Sequence, residues 1–69
     1  MKPSAYRIVV EGELDSPRYS VAFAEMRLGA GEGTTEIVGM VEDQAELQGL
    51  LDTVTALGLS LVSVTPLGD

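Results

Sequence analysis

Along residues 42–58 the apolar positions fall at 47, 50, 51, 54 and 57, the spacing of one helical face. The spacing predicts a helix over 43–57. Asp43 is placed to cap it, with Glu46 three residues on as the second half of a capping box. Gly58 is placed to close it in a left-handed conformation. Before this helix, two stretches alternate with period two. In the first, Tyr6, Ile8 and Val10 face one way and Arg7, Val9, Glu11 and Glu13 the other, which predicts a half-buried strand. In the second, 34–41, Thr35, Ile37, Gly39 and Val41 share one face and Glu36, Val38 and Met40 the other.

Between these strands Asp15-Ser16-Pro17 reads as a helix start, with Asp15 or Ser16 as cap and Pro17 in the first helical position. A helix of about ten residues is expected, with Tyr19, Ala22, Phe23 and Met26 on its buried side. Arg27-Leu28 extends into a short strand, and Gly29-Ala30-Gly31-Glu32-Gly33 forms a turn. After Gly58, residues 59–65 read as a last strand, with Leu59 and Leu61 on one face and Val62 and Val64 on the other. Pro66 is expected to end it. Residues 1–5 read as a loose leader and 66–69 as a loose tail around a single small domain spanning 1–69.

Strand, helix, strand, strand, helix, strand is the outline of a ferredoxin-like β-α-β-β-α-β sandwich. The expected fold is α+β in two layers: a four-stranded antiparallel sheet with two helices on one face. Right-handed crossovers place the first and third strands at the centre. The other sheet face would then stand bare, yet each central strand carries apolar residues on both sides. Val9 lies there with either Val38 and Met40 or Ile37 and Val41, and the last strand adds Leu59 and Leu61. The candidate interface is Val9, Val38, Met40, Leu59 and Leu61. An exposed apolar patch of this kind marks an interaction surface. A homodimer or higher homo-oligomer is therefore expected.

Composition strengthens that expectation. In 69 residues with 45% hydrophobic content there is neither cysteine nor histidine. A core of this size contributes little net stability, and neither disulfides nor thiolate or imidazole metal sites are available to add to it. Four basic against eleven acidic residues, a net charge of −7, exclude a basic stripe able to neutralise phosphates. No nucleic-acid partner is expected. No apolar run approaches the roughly 20 residues of a membrane span. With no signal-peptide pattern at the N-terminus, the chain is expected to be cytoplasmic.

Candidate chemistry is sparse. The glycine turn lacks the Lys and following helix of a phosphate loop. Glu11, Glu13 and Asp15 share a strand face without a loop to wrap a cation. Glu42, Asp43 and Glu46 complement the helix dipole. A serine nucleophile would need Lys2, the only lysine, as its base. No catalytic set, cofactor or metal is expected. Gly49 is the unexplained residue of the main helix, read equally well as a site of close approach or as drift.

The run 43–51, followed by Leu57-Gly58-Leu59-Ser60-Leu61-Val62-Ser63-Val64, resembles the C-terminal half of a group of short uncharacterised actinobacterial proteins, and the strand at 6–10 fits them as well. Those relatives tend to carry His where this chain has Gln48, and basic residues near the helix end. The resemblance implies no activity. The leading functional expectation is a small, acidic, non-enzymatic protein that self-associates through its sheet and acts as a protein-interaction or regulatory module. The alternative is an ACT-like small-effector-binding domain, by analogy of fold alone. Its effector loop would be Gly12, Glu13, Asp15 and Ser16.

Overall fold

A computed structural model describes residues 2–13 and 17–68. The elements follow in the order β1 (Ser4–Glu11), α1 (Pro17–Ala22), β2 (Arg27–Ala30), β3 (Thr34–Val41), α2 (Gln44–Ala56) and β4 (Leu61–Gly68). The fold is α+β, with one open antiparallel sheet in the order β2-β3-β1-β4 and two helices.

Alternation along β1 and β3 decides which sheet face is covered. Ile8 pairs with Ile37 and Val10 with Thr35. Residues directly opposite in an antiparallel ladder share a face. Ile8, Val10, Ile37 and Val41 are fully buried, as are Phe23, which follows α1, and Val54 of α2. Leu47, Leu50 and Leu51 of α2 pack on the same cluster, together with Met26 and Leu28. The even-numbered residues of β1 and the odd-numbered residues of β3 therefore look at the helical layer. Ile37 and Val41 belong to the core, and Val38 and Met40 to the opposite face.

The ends of α2 follow from its sequence. The Asp43 carboxylate accepts from the Glu46 N–H at 2.8 Å, and Glu46 Oε1 accepts from the Glu42 N–H at 3.2 Å. At the other end Gly58 has φ 74°. Its N–H donates to the Thr55 carbonyl, and the Leu59 N–H donates to the Val54 carbonyl. This pair of bonds is a Schellman motif. The motif accompanies a hydrophobic contact between the residue after the glycine and the last helical turn, and Leu59 packs against the core that contains Val54.

Four elements differ from the sequence reading by two residues or more. α1 spans six residues. The Phe23 N–H still reaches the Tyr19 carbonyl, and the Met26 N–H then bonds Phe23 in a tighter turn. That turn returns the chain to the sheet one residue before β2. β2 runs on through Gly29 and Ala30, so the hairpin loop narrows to Gly31-Glu32-Gly33, with Gly33 at φ 73°. β1 begins at Ser4, inside the expected leader. β4 begins only at Leu61 and continues past Pro66 to Gly68. Pro66 is tolerated because β4 is an edge strand and a register shift lies beside it, between Ala5 and Tyr6 of its partner.

Candidate functional site

The uncovered face of the sheet is built by register. One row across it reads Arg27, Val38, Arg7, Thr65; the next reads Gly29, Glu36, Val9, Ser63. Met40 stands beyond the first row, opposite Ala5. Val9 and Val38 are partly buried by their neighbours, and Met40 is 55% exposed. Arg7 Nε lies 3.6 Å from Glu36 Oε1, both side chains about two-fifths exposed. An exposed pair of this kind contributes little to stability. Its consequence is on the surface: the valines are framed by charge of both signs.

Three of the five expected interface residues, Val9, Val38 and Met40, share this face. Leu59 does not; as the residue after Gly58 it is turned inward by the Schellman motif and packs on the core. Leu61 does not stand beside Val9 either. A register shift between Val9 and Val10 sets it opposite Val10, a core position, at the start of the edge strand. It is 49% exposed there. On β4 the open face instead carries Ser63 and Thr65. Alternation sets Leu59 and Leu61 on the face of Ser63 and Thr65, but the strand starts only at Leu61 and the shift turns Leu61 off that face.

Sequence reasoning missed Arg7 and Arg27 as members of the surface. They are two of only four basic residues in the chain, and both lie opposite Val38. The signal was present, since Arg7 alternates with Ile8 and Val10. What the sequence lacked was the β2–β3 register that brings Arg27 to the same row.

Of the expected effector loop, Gly12 and Glu13 are exposed. The Gly12 N–H donates to the Gly33 carbonyl at 2.8 Å, and its carbonyl accepts from Thr35 Oγ1 at 2.8 Å. The backbone of Gly12 thus ties β1 to the hairpin. Asp15 and Ser16 lie outside the described residues, as does the helix cap expected of them.

A cavity of about 290 Å³ opens at the other end of the sheet. It exists because β2 begins at Arg27, opposite Val38, which leaves 39–41 of β3 without a neighbouring strand on that side. Residues 21–26 cross this gap, and Glu46 and Leu50 of α2 close it. Among the described residues no three His, Cys, Asp or Glu side chains converge as a metal site. No described helix is long and apolar enough to cross a membrane.

These features define a class: a small α+β module whose one sheet face is packed under helices and whose other face is open and chemically mixed. The chain belongs to the family described as a domain of unknown function (DUF8691), whose sequence model matches residues 5–65. The match runs from Ala5 of β1 to Thr65 of β4 and so reaches all four strands. Comparison with curated proteins and with solved structures gave no match.

Proposed function

We propose that the protein is a non-enzymatic interaction module of ferredoxin-like topology that self-associates as a two-fold dimer through the open face of its sheet. The observation that carries this reading is the placement of Val9, Val38 and Met40 together on the uncovered face. Element order and the central position of β1 and β3 support the topology. Arg7 and Arg27 occupy one row and Glu36 the next. A copy turned about a two-fold axis can therefore set its glutamate row against the arginine row of the first, which makes the face self-complementary. The rest of the surface, carrying most of the net −7 charge, discourages association elsewhere. The dimer's remaining surface is then available to a protein partner, and the protein works in the cytoplasm.

Sedimentation of the parent chain and of Val38→Glu and Met40→Glu tests the proposal. The parent runs as a dimer at micromolar concentration. Both variants shift toward monomer with helix content unchanged by circular dichroism. Identical sedimentation of parent and variants would show the interface to be elsewhere.

A further inference from the structure

We propose that the cavity between residues 21–26, the end of β3 and α2 is a binding site for a small organic ammonium ion with an aromatic or aliphatic body. Its apolar lining comes from Phe23, Met26, Met40 and Leu50, and its polar lining from Glu25 and Glu46. Among the described residues no basic side chain lines it. Glu46 and Leu50 are one helical turn apart and so stand on the same face of α2. That arrangement presents a carboxylate and a hydrocarbon surface to the same space. The two methionines are unbranched and polarizable, which suits them to line a site that adapts to its occupant. At about 290 Å³ the cavity lies near the lower limit for ligand pockets, large enough for one aromatic ring with a short amine arm. Glu46 already accepts from the Glu42 N–H through Oε1, which leaves its second oxygen as an acceptor for an ammonium group.

Charge selects among occupants. An anion would meet two carboxylates and the field of a chain with net charge −7; a cation is drawn by both. A neutral molecule would fill the apolar part and leave the carboxylates without a charged partner. A charge-assisted hydrogen bond is roughly twice as strong as a neutral one. The site borders the open sheet face of the dimer proposal and shares Met40 with it; it lies at the opposite end of the sheet from Gly12 and Glu13.

Phenethylammonium is the probe, with phenethyl alcohol and phenylpropionate as isosteric controls, followed by backbone amide chemical shifts of the full chain. The expected result is saturable shifts confined to residues 21–26, 40, 46 and 50. Binding should be about tenfold weaker for the alcohol and absent for the carboxylate. Glu25→Gln and Glu46→Gln should each weaken the amine severalfold and leave the alcohol unchanged. The Glu46→Gln amide oxygen can still accept from the Glu42 N–H, so that variant keeps the helix cap while losing the charge. Equal binding of amine and alcohol, or indifference of the amine to both substitutions, would overturn the proposal. So would shifts scattered over the acidic surface.

Discussion

Gly49 sits on the exposed side of α2, and a Cβ built on it meets nothing within 4 Å. Of the two readings open from the sequence, close approach within the chain is therefore removed. Glycine in a helix interior costs about 1 kcal/mol relative to alanine. Gly49→Ala should stabilise the protein by roughly 0.5–1 kcal/mol, read as a rise of several degrees in Tm for a domain of this size. Gly39 is the opposite case. A Cβ there would collide with Met26 Sδ, and Glu25 carbonyl oxygen lies 3.4 Å away. Alanine would displace the flexible methionine; valine would press on the backbone as well. Gly39→Val should cost about 1–3 kcal/mol in chemical denaturation and loosen the segment that walls the cavity. Neither glycine could be interpreted from sequence, where both are simply small residues in regular elements. What separates them is which chain passes overhead, and that is a tertiary fact.

At the scale of elements, α2 is the part most legible in the sequence. Period, cap and C-terminal glycine all agree, and the observed helix Gln44–Ala56 departs from the expected 43–57 by one residue at each end. Asp43→Ala removes the acceptor for the Glu46 N–H and should cost about 1 kcal/mol of stability in thermal or denaturant unfolding. The cap is local chemistry, complete within four residues, so sequence suffices to see it. β4 was less legible for a complementary reason. Gly58 did announce the turn, but the Schellman bond that draws Leu59 onto Val54 uses up a residue that alternation counted as strand. The shift between Val9 and Val10 then moves Leu61 out of phase with Val9. Period-two reasoning has no protection against one extra residue, because a single slip exchanges the two faces. α1 was overextended because Phe23 and Met26 reach the core from a turn as well as they would from a helix.

For the whole molecule, the sequence showed that some strand face would be left without a helical cover, and the register shows which one it is. Val9, Val38 and Met40 remain together on it; Leu59 and Leu61 leave the set; Arg7, Arg27 and Glu36 enter it. The open face is consequently more polar than alternation suggested. An apolar patch alone would favour indiscriminate aggregation, whereas valines framed by both signs of charge favour one orientation of a second copy. Association should therefore weaken as salt screens the arginine and glutamate rows, a dependence that equilibrium measurements at low and high ionic strength can read.

The central claim is that this open face is the self-association surface. Sedimentation equilibrium over a range of micromolar concentrations, with Met40→Glu beside the parent chain, tests it most directly. Met40 is 55% exposed, so the monomer should tolerate the glutamate, and any change in mass reports the interface rather than folding. The account predicts about twice the 7.3 kDa chain mass for the parent and a mass close to that of one chain for the variant. A parent chain that stays monomeric throughout, or a variant that dimerises as the parent does, would contradict it.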